Sequence, residues 1–210
     1  MQKSPIRVLC VDDHRLMREG ITRIIGLEQG IEVVAQAATG EEAVGQFIQH
    51  QPDVTLMDLQ LPQMNGLQAI RAILAERSDA RVVVLTMYQG DEDIYRALEA
   101  GAVGYLLKDT LPEDLIRVIR EVHSGARPIP PDVARLLAAR KDHQALSARE
   151  IEVIRLLSTG LRDKEIAYEL GITQRTAQAH IRSIFAKLEV HDRTAAVAVA
   201  AKRGIVHMGY

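Results

Sequence analysis

Apolar residues recur along this chain in two rhythms, and the change from one to the other divides it. Up to about residue 124, short unbroken apolar runs alternate with stretches in which apolar residues return every three or four positions. The unbroken runs are Ile6 to Val11, Ile31 to Ala37, Val54 to Met57, Val82 to Thr86 and Val103 to Leu107. Their length and β-branched content predict strands. They are too continuously apolar for strands with one wet face, which predicts a parallel sheet covered on both sides, with Val82 to Thr86 central. Between them lie five helical patterns. The first runs through Leu16, Gly20, Ile21, Ile24 and Leu27; a second follows the capping box of Thr39 and Glu42 through Ala43, Val44, Phe47 and Ile48. A third begins at Asn65-Gly66, a fourth carries Ile94 and Leu98 and stops at Gly101, and Pro112 opens a fifth with Leu115, Val118, Ile119 and Val122. Strands alternating with helices predict an α/β fold, a doubly wound five-stranded parallel sheet over residues 1–124.

Past Ser124-Gly125 the pattern changes. Pro128, Pro130 and Pro131 mark a linker over 125–144, with room for one helix from Asp132 to Arg140. Residues 145–210 carry helical spacing alone and predict a small all-α domain. Ser147 and Glu150 form a capping box flanked by Leu146 and Ile151 as a hydrophobic staple. That helix ends near Thr159-Gly160, the next runs from Asp163 to Leu170 and stops at Gly171, and Thr173 caps a longer one to Leu188. Asp192 caps the last, Arg193 to Arg203.

Polar residues interrupt the apolar runs at one end only. Asp12-Asp13, Asp58, Thr86 and Lys108 follow or close four of the strands, and the crevice beyond the carboxyl ends of parallel strands is where such sheets hold ligands. If the first and third strands are neighbours, three carboxylates converge. Like charges that close need a cation, and an oxygen-only ligand set suits Mg²⁺.

Composition adds a few limits. The chain of 210 residues has net charge −2, but residues 145–210 hold ten Lys and Arg against seven Asp and Glu, +3, leaving −5 in residues 1–144. A basic helical part behind an acidic one points toward nucleic acid. Trp is absent and aromatics are scarce, which disfavours stacking on single strands. Cys10 is the single cysteine and reads as a core thiol in a reducing compartment. No secretory leader and no run of spanning length are apparent, so the chain reads as cytoplasmic, with no membrane partner. His14, His50, His123, His143, His191 and His207 lack ligand spacing and read as surface residues.

The stretches Val11-Asp12-Asp13, Met57-Asp58, Pro62-Gln63-Met64-Asn65-Gly66, Leu85-Thr86 and Gly101 to Lys108 together resemble the flavodoxin-like receiver domain of two-component response regulators. That resemblance implies that Asp58 accepts a phosphoryl group from a sensor histidine kinase. Asp13, Asp58 and the carbonyl of Gln60 would hold Mg²⁺, with Asp12 acting through a bound water. Lys108 would pair with the phosphoryl oxygens, and Thr86 with Tyr105 would form the switch. Gln60, Met87 and Tyr88 border the phosphoryl site and would set how long the phosphoryl group lasts. Taken one at a time, each residue also has a bland reading, a helix cap or a solvated strand end.

Residues from Leu146 to about Ile205 resemble the LuxR-type helix-turn-helix, with the motif over 163–182, which places the chain in the NarL/FixJ class of response regulators. That resemblance implies a homodimer when active, acting on double-stranded promoter DNA, with RNA polymerase as a further partner. Ala177, Ile181, Ile184 and Leu188 would face the core, leaving Gln174, Arg175, Gln178, Ala179 and Arg182 outward. With Lys164, Thr173, Thr176, His180 and Lys187 they are the candidate DNA-binding residues. Gln178 stands where many relatives have Lys; a neutral amide there favours A·T. The Ala-rich last helix, apolar all round, predicts a dimer surface at Ala195 and Val199. Two other readings compete. A Mg²⁺-dependent phosphatase with an aspartate nucleophile would need an Asp-x-Asp pair, whereas Asp12 and Asp13 are adjacent; a phosphorylation-independent DNA-binding regulator would keep the receiver as a vestige.

Overall fold

The computed structural model describes residues 4–87, 90–129, 131–140 and 144–206; Tyr88, Pro130, His143 and His207 lie outside them. The chain divides into two compact units, one built on a sheet and one helical. In the first, β1 (Ile6–Val11), β2 (Ile31–Ala37), β3 (Val54–Met57), β4 (Val82–Thr86) and β5 (Gly104–Leu107) form a parallel sheet in the order β2-β1-β3-β4-β5. Parallel neighbours need crossovers, and these are α1 (Arg15–Gly26), α2 (Gly40–His50), α3 (Gly66–Glu76) and α4 (Asp91–Glu99), with α5 (Pro112–His123) after β5.

Strand residues alternate between two covered faces, which explains why the runs are unbroken. Val8, Cys10, Leu56 and Val83 pack with Ile21 and Ile25 of α1 and Leu115, Ile119 and Val122 of α5. The alternate residues Leu9, Met57 and Val84 are fully buried too, as are Phe47 of α2 and Ile70 and Ile73 of α3. Cys10 lies in this core, and burial pushes its thiol up to about 12, so it packs as a small apolar side chain. The helical pattern read for α1 is not all core. Leu16 and Leu27 do not belong to the inner face of α1; they are 84% and 80% exposed, and the face that packs carries Met17, Ile21, Ile24 and Ile25. The spacing of Leu16 and Leu27 fits a stripe displaced by about one residue, and spacing alone does not say which of two adjacent stripes meets the sheet.

The sheet order positions the chemistry. The chain leaves β1 for β2 on one side, then crosses to β3 on the other, so the crevice opens between the tips of β1 and β3. In their register Val11 lies opposite Met57, and the Asp58 amide donates to the Val11 carbonyl at 3.0 Å. Asp12 and Asp58 therefore emerge side by side. On the other flank Thr86 pairs with Leu107, and the Lys108 amide donates to the Thr86 carbonyl at 2.9 Å.

The second unit takes in α6 (Pro131–Arg140) from Asp132 onward, α7 (Ala148–Ser158), α8 (Asp163–Glu169), α9 (Gln174–Leu188) and α10 (Arg193–Lys202). Ser147 and Glu150 close a reciprocal capping box on α7, and Thr173 and Asp192 cap α9 and α10 through their side chains. Gly171 turns the chain between α8 and α9 at φ +62, a left-handed conformation that costs glycine nothing. Val153, Ile154, Leu157, Ile166, Ala177, Ile181, Ile184 and Leu188 form the core, closed by Ala196 and Ala200 of α10. Val197, Val199 and Ala201 of α10 are partly buried against that core, and Ala198 is exposed.

Candidate functional site

At the tips of the strands, Asp12 and Asp58 are almost fully buried, while Asp13 stands at the edge of solvent. The Lys108 side chain, only 4% exposed, reaches across from β5, and its Nζ lies 2.7 Å from Asp12 Oδ2 and 2.7 Å from Asp58 Oδ2. One ammonium thus serves two buried acids. Burial pushes the Asp58 carboxyl up and the Asp12 charge adds to it; the hydrogen bond from Lys108, its charge and the Gln60 amide pull the other way without cancelling the rise. For Lys108, burial alone would lower the ammonium. Its bonds to Asp12 and Asp58 overcome this and hold it above the ordinary lysine value.

The chain around Asp58 is shaped to keep that carboxylate in place. The Gln60 amide donates to Asp58 Oδ1 at 3.3 Å, and the Gly66 amide at the start of α3 donates to the Leu59 carbonyl at 3.0 Å. A Cβ on Gly66 would lie 2.1 Å from the Asp58 carbonyl oxygen, so only glycine lets α3 begin this close to the loop. Thr86 is fully buried at the end of β4, and its hydroxyl has no hydrogen-bond partner among the described residues. An orphaned buried hydroxyl is costly and invites an acceptor. Tyr105 is buried as well, and Met87 is 66% exposed.

His14 reads from the sequence as a surface residue without ligand spacing. It is exposed, but its Nδ1 lies 2.6 Å from Asp13 Oδ1 and its amide donates to Asp12 Oδ1 at 2.9 Å. Asp12, Asp13, His14 and Asp58 each offer a ligand atom, all within 4.8 Å of one another. Three carboxylates against one ammonium leave an excess of acid, and mostly oxygen donors fit a hard divalent cation. The only signal in the sequence was the adjacency of His14 to Asp12-Asp13.

In the helical unit, Gln174, Arg175, Thr176, Ala179 and Arg182 of α9 are exposed, as is Lys164 of α8, while Thr173 caps α9 by accepting from the Thr176 amide at 3.2 Å. His180 is half-buried. One residue departs from the outward set expected, and one candidate phosphate contact is engaged within the unit. Gln178 is half-buried, and its Nε2 donates to Asp163 Oδ2 at 3.3 Å. Lys187 is held by Glu150 Oε2 at 2.8 Å and by the Ala145 carbonyl at 3.2 Å. Glu150 is buried, which alone would raise its carboxyl. Hydrogen bonds from Lys187, from the Ser183 hydroxyl at 2.6 Å and from the Ser147 amide bring it down to about 2. Among the described residues no helix is long and apolar enough to cross a membrane.

Comparison with known proteins agrees on both units. The response regulator receiver domain profile matches residues 8–120, and that of bacterial regulatory proteins of the luxR family matches residues 144–200. A nitrate/nitrite response regulator protein homolog from Haemophilus influenzae is 38% identical over 198 residues, covering 92% of this chain and 95% of that one. The crystal structure of the response regulator ChrA, from a heme-sensing two-component system, is 37% identical with a TM-score of 0.59, covering 97% of this chain and 100% of that one. A structure of two RcsB dimers bound to two parallel DNAs is 25% identical with a TM-score of 0.68 and covers 95% of this chain and 99% of that one.

Proposed function

This chain belongs to the response regulators that join a receiver domain to a LuxR-type DNA-binding domain, and on that footing we propose that it is a transcription regulator switched by phosphorylation of Asp58. The donor is the phosphohistidine of a sensor histidine kinase. An Asp58 oxygen attacks phosphorus; the new O–P bond forms as the N–P bond breaks, and the electron pair leaves on the imidazole nitrogen. Attack by an anion on an anion is slow unless charge is neutralised, and the Lys108 ammonium, 2.7 Å from Asp58, is placed to take the phosphoryl oxygens. Asp13, Asp58 and the carbonyl of Gln60, with Asp12 through water, would hold a Mg²⁺ ion, which supplies the remaining neutralisation. The Thr86 hydroxyl is the donor that gains a partner when a phosphoryl oxygen arrives, and this couples the pocket to β4 and, through Tyr105, to β5. That coupling is the switch.

Downstream, α9 enters the major groove of promoter DNA. Gln174, Gln178, Ala179 and His180 meet base edges, and Lys164, Thr173, Arg175, Thr176 and Arg182 meet phosphates, while Lys187 stays with Glu150. Phosphorylation favours a homodimer that pairs through Ala195 and Val199 of α10. The single observation carrying the receiver reading is one buried ammonium shared by two buried carboxylates beside an unpartnered threonine hydroxyl. It is tested by incubating the chain with Mg²⁺ and acetyl phosphate and weighing it intact. One hydroxylamine-labile phosphoryl group is expected on the wild type and none on Asp58→Ala; equal phosphate on both sinks the assignment.

A further inference from the structure

Asp163 opens α8 and touches two other helices. Its Oδ1 accepts from Arg193 of α10 at 2.8 Å, and the same guanidinium donates to the Leu161 carbonyl at 2.6 Å. Its Oδ2 accepts from Gln178 Nε2 on α9 at 3.3 Å. The Arg193 fork fixes where the carboxylate sits, and a carboxylate of this kind only accepts hydrogen bonds. A glutamine amide has an acceptor end and a donor end, and rotation by half a turn exchanges them. Facing Asp163, only the donor end is allowed. From these contacts we infer that Asp163 is a positioning residue that sets which end of the Gln178 amide is offered to a base pair, and so determines specificity at one position of the DNA site.

The inference rests on the reading that Gln178 meets a base edge. An amide bonded to adenine must accept from N6 and donate to N7 at once, which demands one rotational sense. Bound to Asp163 through one amide hydrogen, Nε2 keeps its second hydrogen, and Oε1 remains free. The held sense is therefore compatible with a bidentate adenine contact, and the reversed sense is forbidden by two facing acceptors. Asparagine at position 163 reverses that rule, because Arg193 only donates and so claims the amide oxygen, leaving an NH2 group that faces Gln178 and favours the reversed sense. Glutamate keeps it.

The experiment is binding-site selection by the phosphorylated full chain, followed by competition titrations against duplexes altered at single base pairs, with wild type, Gln178→Ala, Asp163→Asn, Asp163→Ala and Asp163→Glu. A random-sequence duplex in the same titration reports folding and non-specific binding, expected to stay within about threefold of the wild type for the three Asp163 variants. A bidentate amide contact gives about 5- to 160-fold discrimination at its base pair. Gln178→Ala is expected to abolish that discrimination at one position. Asp163→Asn and Asp163→Ala are expected to reduce it to within about threefold at that same position and no other, and Asp163→Glu to restore it. If one Asp163 variant does not fold, the other decides. Should Gln178→Ala relax a position that both folded Asp163 variants still read as wild type, the inference is overturned while the Gln178 reading stands. Should Gln178→Ala leave every preference unchanged, that reading falls and takes the inference with it.

Discussion

Asp58 in the sheet unit and Glu150 in the helical unit are both buried beside a lysine, yet their acidities move in opposite directions. Burial raises each. What differs is the ratio of donors to acids. Glu150 has the Lys187 ammonium, the Ser183 hydroxyl and the Ser147 amide to itself, and its carboxyl falls to about 2. Asp58 shares one ammonium with Asp12, has the Gln60 amide besides, and stays above the ordinary value. A carboxylate with surplus donors ties helices together. One with too few is left short of positive charge, and a bound cation would relieve a cost already present in the fold.

The largest effect should come from removing the shared ammonium. Lys108→Met leaves Asp12 and Asp58 buried without a cation, and breaking a buried pair from one side costs about 3–5 kcal/mol. Urea unfolding in metal-free buffer measures this, and Mg²⁺ should recover part of it, more in the variant than in the wild type. Loss below about 1 kcal/mol would mean that the pair contributes little to the fold. A smaller effect is expected at the other lysine. Glu150→Gln keeps the caps but loses the charge facing Lys187, costing about 1–2 kcal/mol at neutral pH. Its sign with pH is fixed by the lowered carboxyl. Above the ordinary value of 4.5 the full stabilisation is present; as pH falls from there toward about 2 the unfolded chain takes up a proton that the folded one refuses, and stability declines. The Glu150→Gln chain should lack that part of the decline, which thermal melts across this range would reveal.

This contrast was half visible in the sequence. Asp12, Asp13, Asp58, Thr86 and Lys108 stood out because each closes an apolar run, and a parallel sheet gathers strand ends on one side. The Ser147-x-x-Glu150 spacing announced a cap because the partner is three residues away. The second role of Glu150 was hidden, since Lys187 lies 37 residues further on and its contact depends on how α7 crosses α9. The same blindness turned Gln178 outward: helical spacing sorts one helix into faces but does not see Asp163 arriving from another. The exposure of Leu16 and Leu27 was hidden for a related reason, because an apolar residue beside the packed stripe looks the same in sequence as one within it.

The mildest change is Asp58→Asn, and it divides the two carboxylates most sharply. An acid whose folded value is raised holds, from about 3.8 upward, a proton that the unfolded chain has already released; stability therefore falls as pH rises through that window and stays lower above it. Asparagine has nothing to release. The variant should track the wild type at low pH and then match or exceed it at neutral pH without metal, because Lys108 then serves one buried acid instead of two. Mg²⁺ should stabilise the wild type more than the variant, which has lost a ligand. Urea titrations at several pH values, with and without Mg²⁺, separate these effects. If Asp58→Asn loses stability at neutral pH as Glu150→Gln does, Lys108 fully compensates Asp58 in the fold, and the two buried lysine–carboxylate sites differ in position alone.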